Sequence, residues 1–197
     1  ERQSMAMPQF RSAYEKALFD KLPQVAEEHL TVIRTGPGEV AIVERDNRIH
    51  TVLGPDERLV LWTDAGPWTF EVIDTAADPA LTQKLMRRLG DARQTQQFVI
   101  VPVTEGSVAL LFTDGVLTKV LEAGVHAFWK AGRTVTQKVI DLKRQALDVT
   151  GQEVLTLDRV TIRLNLSAEY RVVDTVKAAT EVKDFTDTLY RALQLVF

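Results

Sequence analysis

Cysteine is absent from the chain. That removes disulfide scaffolds, thiol nucleophiles and thiolate metal sites together, and leaves the compartment open. Long hydrophobic runs are missing as well. The longest stretch of this kind, Phe98-Val99-Ile100-Val101-Pro102-Val103, falls far short of the ~18–20 residues that cross a bilayer. No basic excess exists: 24 Lys and Arg face 27 Asp and Glu, a net charge of −3, which argues against a nucleic-acid partner. Histidine is scarce, and His29, His50 and His126 lie in unrelated segments without paired-ligand spacing, so no metal is expected. A signal peptide is lacking, since Glu1-Arg2-Gln3-Ser4 is polar and leads into no apolar core.

What remains is ordinary globular material: 197 residues, 45% hydrophobic and 26% charged. A chain of this length buries roughly 70% of its unfolded surface and needs no staple. It suits one large domain or two small ones. The chain starts without Met and stops at Leu195-Val196-Phe197, inside an apolar helical pattern with no cap, which reads as a piece of a longer protein.

The residues of chemically capable type all have plainer roles. Ser107 follows Gly106 but lacks the second glycine of a nucleophile elbow. Gly36-Pro37-Gly38 is followed by a strand pattern and no Lys-Ser/Thr, so it is a turn and no phosphate loop. Asp141 with Asp148, and Asp174 with Asp184, fit turns and helix N-caps, and no pair of carboxylates is singled out for acid–base work. No catalytic residue and no cofactor is expected, and the reading is that of a non-enzyme.

The hydrophobic pattern is helical over 10–30, where Phe10, Tyr14, Leu18 and Phe19 recur at three- and four-residue steps and Pro23 marks a break. The period then falls to two. Short strands are expected at 31–33, 40–43, 49–53, 59–62 and 69–73, separated by the turn formers Gly36-Pro37-Gly38, Asp46-Asn47, Gly54-Pro55-Asp56 and Asp64-Ala65-Gly66-Pro67. Residues 79–91 return to helix, with Leu81, Leu85, Met86 and Leu89 as an apolar stripe and Gly90 closing it.

The strand series then repeats. With an offset of 68, Gly38, Val40, Ala41, Asp46, Val52 and Leu53 fall on Gly106, Val108, Ala109, Asp114, Val120 and Leu121. With an offset of 67, Trp62, Thr69, Val72, Ile73 and Asp74 fall on Trp129, Thr136, Val139, Ile140 and Asp141. Turn residues and apolar strand residues both recur, so the duplicated object is a folding unit. Trp62 and Trp129 hold equivalent positions, which points to a shared packing role. Asp114-Gly115 is a strong two-residue hairpin signal, with Asp46-Asn47 as its counterpart.

Beyond the second copy, Val160, Ile162, Leu164, Leu166, Ala168, Tyr170 and Val172 alternate with polar residues, predicting one long strand with a buried and a wet face. A shorter strand around Glu153-Val154-Leu155 precedes it across a tight turn. Asp174 and Asp184 cap two helices, the second carrying Phe185, Leu189, Leu193 and Val196 on one face.

The run Gln152 to Val160, with the strand ending Glu169-Tyr170-Arg171-Val172-Val173-Asp174, resembles the core signature of the SPFH or band 7 superfamily of stomatins, prohibitins, flotillins and prokaryotic slipins. Glu105 to Phe112, Leu121 to His126 and Val139 to Leu142 look like earlier blocks of the same domain. The resemblance covers about residues 98–197 and reaches 31–74 through the repeat, as in a slipin with a duplicated β module. The sequence departs from the family at Ala123-Gly124, where many members have Pro-Gly, and at Trp129-Lys130, where many have Pro. The membrane hairpin or anchor common in the family is not among these residues.

The expected fold is α+β: tandem small antiparallel β modules, then a C-terminal long strand with two helices. The expected segments are an N-terminal helical stretch (1–30), a first module (31–74), a connecting helix (75–95) and an SPFH domain (96–197). The resemblance implies a non-catalytic scaffold that forms a large homo-oligomer at a membrane, there organising lipids or regulating a membrane protease or channel. It also implies a location on the cytoplasmic face of a membrane, with this piece alone soluble. Lys84, Arg87 and Arg88 are candidate contacts to acidic lipid, with a solvated face opposite the Leu81/Leu85/Leu89 stripe as the plainer reading. Leu189, Leu193, Val196 and Phe197 are candidate oligomer contacts, with packing on the long strand as the plainer reading. The rival function is a soluble adaptor that binds a partner peptide at an exposed sheet edge.

Overall fold

The computed structural model describes residues 7–195. Its first repeat holds five strands: β1 (Leu30–Arg34), β2 (Glu39–Arg45), β3 (Arg48–Leu53), β4 (Arg58–Trp62) and β5 (Trp68–Asp74). β1 pairs antiparallel with β4, and a second sheet runs β3-β2-β5. Asp46 and Asn47 have φ of 50° and 60°, both left-handed as a type I′ hairpin demands. A bulge between Val43 and Glu44 re-aims the residues that follow. Ile33 and Leu61 from the first sheet meet Ala41, Val43 and Leu53 from the second in a core of alternating residues. Thr35 locks the strand ends together: its buried hydroxyl donates to the Gly54 carbonyl at 2.6 Å and accepts from Glu57 N–H at 3.0 Å.

The second repeat has β6 (Phe98–Val103), β7 (Ser107–Thr113), β8 (Val116–Leu121), β9 (Gly124–Trp129) and β10 (Val135–Asp141). β6 pairs with β9, and the other sheet runs β10-β7-β8. The agreement extends to single hydrogen bonds. The bulge recurs between Leu111 and Phe112, and the turn residues Asp114 and Gly115 have φ of 51° and 82°. Thr75 N–H donates to Gly38 O at 3.0 Å, and Leu142 N–H to Gly106 O at 2.8 Å. Ala76 N–H donates to Asp74 Oδ1 at 2.8 Å, and Lys143 N–H to Asp141 Oδ1 at the same distance.

The structure corrects the helical reading of 10–30. Only α1 (Glu15–Lys21) and α2 (Pro23–His29) are helical, and Phe10 precedes them in extended chain. Gln9 bridges to Leu61, with Phe10 N–H donating to Val60 O and Trp62 N–H to Pro8 O, both at 2.9 Å. Likewise α3 (Gln83–Asp91) starts later than the stripe from residue 79 predicts, and Gly90 lies inside it. Ahead of it, Ala80 bridges to Phe128, Leu81 N–H donates to Ala127 O and Trp129 N–H to Pro79 O, both at 2.8 Å. Each repeat therefore opens with a short arm, Pro8–Phe10 or Pro79–Leu81, that hydrogen-bonds to its fourth strand. The arm's offset is 71, not 67 or 68, because the helical segment between arm and strands differs in length.

The chain divides into two compact units. One holds the described residues up to Ile100 together with His126–Thr134; the other holds Val101–Val125 and the residues from Val135 onward. In the first unit, Phe10, Ala26, Leu30 and Val60 form a core under α1 and α2, while Val40, Ile42 and Val52 on the far face of β2 and β3 pack with Leu89, Phe98, Ala127, Trp129 and Ala131. Trp129 is 2% exposed and Leu89 fully buried, so truncating either to Ala would cost about 3–5 kcal/mol.

In the second unit, β11 (Gln145–Leu155) and β12 (Thr161–Tyr170) form an antiparallel ribbon, followed by α4 (Thr175–Thr180) and α5 (Phe185–Gln194). β11 has 11 residues where the sequence pattern predicts a short strand; its polar-rich pattern around Thr150-Gly151-Gln152 hides it, because a register shift between Val149 and Gln152 breaks the alternation. Asp174 and Asp184 cap the helices as expected: Asp174 accepts from Lys177 N–H at 3.0 Å and Asp184 from Thr186 N–H at 2.9 Å. The architecture is α+β, built from small antiparallel sheets and closed by two helices.

Candidate interaction surfaces

α3 turns Leu85, Met86 and Leu89 inward, and with Leu81 from the arm before it they pack in one cluster with Val40, Ile42, Phe98 and Trp129. Thr82 caps it, accepting from Leu85 N–H at 3.3 Å. The three candidate lipid contacts part company on what remains. Lys84 and Arg87 are exposed. Arg88 is half-buried, its guanidinium donating to Glu44 Oε1 on β2 at 2.7 Å.

α5 packs along β11, and Phe185 meets Tyr170 edge to face with ring centroids 6.5 Å apart. Leu189 and Leu193 are half-buried on that helix, and Val196 and Phe197 lie outside the described residues. The ribbon itself is more open than its alternation predicts. Leu164, Leu166 and Ala168 are half-buried near its base, but toward the tip Ile162, Val160 and Leu155 are 38%, 52% and 66% exposed, and Leu157 in the connecting turn is fully so. Val160 and Ile162 lie on the face expected to be buried, which is thus uncovered over the distal half of the hairpin, while Leu155, opposite Thr161, lies on the other face. An isolated two-stranded ribbon with apolar side chains in water is marginal by itself, and exposed apolar groups grouped in one patch mark contact surfaces.

Sheet edges offer another surface. β5 sits at the edge of its sheet, and Phe70 and Val72 on it are 49% and 42% exposed. Among the described residues no group of three or more His, Asp and Glu converges as a metal site.

One cluster escaped the sequence reading. At the turn end of the first repeat, Arg45 pairs across the strands with Arg48 on one side and Trp68 on the other. The Arg45 guanidinium lies 5.7 Å from the Trp68 ring centroid, and the His50 ring lies 5.2 Å from the same indole, tilted by 59°. The Trp68 N–H donates to Trp62 O at 2.8 Å, which fixes the indole. Partial burial, and then the charge of Arg45, hold the His50 imidazole below its ordinary pKa. The signal was available by comparing the two repeats position by position, since these four residues align with Thr113, Val116, Thr118 and Val135.

Comparison with known proteins identifies a family in the second half of the chain. Residues 101–195 match the model of the SPFH domain / Band 7 family. A stomatin homologue of Pyrococcus horikoshii and another of Pyrococcus abyssi are each 49% identical over 47 residues, which is 24% of this chain and 18% of theirs. A protein of Archaeoglobus fulgidus is 51% identical over 47 residues, 24% of this chain and 19% of its own. The chain thus spans less than a fifth of the length of these curated relatives. No solved structure matches at a significant level.

Proposed function

With residues 101–195 an SPFH domain of the Band 7 family, we propose that this protein is a non-catalytic scaffold that self-associates at a membrane surface. There it organises the surrounding lipid or regulates a membrane protease or channel. The observation that carries the reading is the β11–β12 ribbon inside the matched segment, which carries Val160 and Ile162 on one face, with Leu157 at the turn, into solvent instead of into its own core. A second copy that covers this patch gains apolar burial at about 25 cal/mol per Å². A side-to-side contact of this kind closes into a ring or continues as an array, and weak contacts gain avidity when many copies share one surface.

The test is the particle mass of the full-length gene product after gentle extraction, measured by light scattering, together with its flotation on vesicles. A large particle that floats supports the scaffold. A monomer or dimer that does not float removes it.

The adaptor reading keeps one observation of its own, the apolar edge strand β5 with Phe70 and Val72 exposed. A partner strand added there would satisfy the free backbone edge. It predicts a monomeric protein that captures an extended peptide, with binding lost on Val72→Pro.

A further inference from the structure

The two repeats serve as an internal control for one another. They share a turn type, a bulge at the same place and a matching register: Arg45 faces Arg48 and Trp68 as Thr113 faces Val116 and Val135. The bulge puts His50 in the first repeat where it puts Thr118 in the second. Asp46 and Asp114, which the turn itself requires, stay the same. Everything around the aspartate changes. The second repeat shows that this hairpin forms with uncharged residues at all four positions, so the fold does not call for the arginines, the histidine or the tryptophan.

The arginines in fact work against it. Like charges directly opposite across an antiparallel pair disfavour the hairpin. Arg45 reaches only the exposed Asp46 at 4.0 Å, a weak ion pair, and Arg48 has no carboxylate partner among the described residues. A feature that opposes local folding, where a copy of the same fold does without it, marks a site with another use. The surface there is concave: Arg45, Asp46, Arg48, Ile49 and His50 line an open cavity of about 440 Å³. A second hollow of about 350 Å³ shares Arg48 and Ile49 and extends toward Arg88 and the carboxylate Asp91 on α3 and Ala92 just after it.

We propose that this corner of the first repeat binds a phosphate group, held between the guanidinium groups of Arg45 and Arg48, with His50 as a third donor and Trp68 as the platform against which Arg45 and His50 rest. Planar guanidinium forks match phosphate oxygens two at a time. The Trp68 ring, pinned to the Trp62 carbonyl, keeps Arg45 standing over the hollow. The charge that the bound group brings would cancel the repulsion between the arginines and reverse the effect of Arg45 on His50. The site lies in the first unit, outside the SPFH match, and is independent of the scaffold reading.

The test follows the His50 ring signal by NMR in the whole chain, first with inorganic phosphate and then with chloride at equal ionic strength. The expected result is a saturable shift with phosphate alone, together with a rise in the His50 pKa. Arg45→Thr with Arg48→Thr adopts the uncharged character of the second repeat and should fold; it should abolish saturation. Lys84→Gln with Arg87→Gln, which removes two exposed cations elsewhere in the same unit, should retain it. A linear response to both anions, or equal loss in both variants, overturns the proposal. Vesicles of phosphatidylcholine with phosphatidic acid then separate the sources. Vesicle binding at least fivefold weaker in the Arg45/Arg48 variant assigns the phosphate to a lipid headgroup; equal vesicle binding, with inorganic phosphate still saturable in the parent, assigns it to a soluble phosphoester.

Discussion

Phe98 and Trp129 meet edge to face in the second repeat, ring centroids 6.3 Å apart; in the first repeat Trp62 meets Phe10 in the same geometry at 5.1 Å. The aromatic partner comes from the first strand in one copy and from the arm in the other. The complementary slots hold the aliphatic residues Leu81 and Leu30, each in the same core cluster as its tryptophan. Exchange of this kind conserves volume and couples the two positions. Phe10→Leu and Leu30→Phe should each destabilise by about 1–3 kcal/mol. The double variant should recover part of the loss, with a coupling of about 0.5–3 kcal/mol in a urea denaturation cycle. Strict additivity would show that the two slots are unrelated.

Arg88 and its neighbours on α3 should separate by assay. Arg88→Gln leaves Glu44 half-buried without its partner and should cost about 1 kcal/mol, a value tempered by the remaining exposure of both side chains. Lys84→Gln and Arg87→Gln should change stability by less than about 0.5 kcal/mol. On acidic vesicles the order should reverse, each of the exposed cations contributing about 1 kcal/mol of attraction. Thermal melts beside vesicle sedimentation would read both.

At the ribbon tip, Leu157→Ser with Val160→Thr removes apolar surface that the described residues leave exposed. The folded unit should keep its melting temperature, while sedimentation velocity should report smaller particles. Unchanged particles would place assembly elsewhere.

His50 gives stability a dependence on pH. Its folded-state pKa lies below the ordinary value of 6.5, so the unfolded chain binds more protons in the interval between the two. Its contribution is full above pH 6.5 and falls as pH drops through 6.5 toward the folded value. His50→Asn should flatten that part of the stability curve, read by urea titration at a series of pH values. A variant with the parent slope would assign the dependence to other groups.

The strands, their turns and the two-copy plan were legible because alternation and left-handed turn residues survive in single positions: Asp46, Asp114 and Gly115 each announce their hairpin. The arms were not legible. Pro8–Phe10 and Pro79–Leu81 share only proline, their offset differs from that of the strands, and Phe10 sits at helical spacing from Tyr14 although it is extended. Alternation in β12 told the period and not what covers it, so the open face at Val160 and Ile162 came only with the structure. The Arg45, Arg48, His50 and Trp68 cluster needed cross-strand register and the bulge. Spacing along the chain places His50 and Trp68 eighteen positions apart and says nothing of a shared indole face.

Helix α3 has a consequence for how such a chain can lengthen. It comes between the two sets of strands, yet its apolar stripe covers the far face of β2 and β3 while its other neighbours, Phe98 and Trp129, belong to the next set. A duplication that carries arm, helix and strands together brings a lid for the sheet before it and a floor for the strands after it. Growth by whole repeats leaves no sheet bare, whereas a cut between helix and strands exposes both sides of the join. A unit of about seventy residues, the repeat offset itself, is therefore the length of chain that carries its own lid and floor.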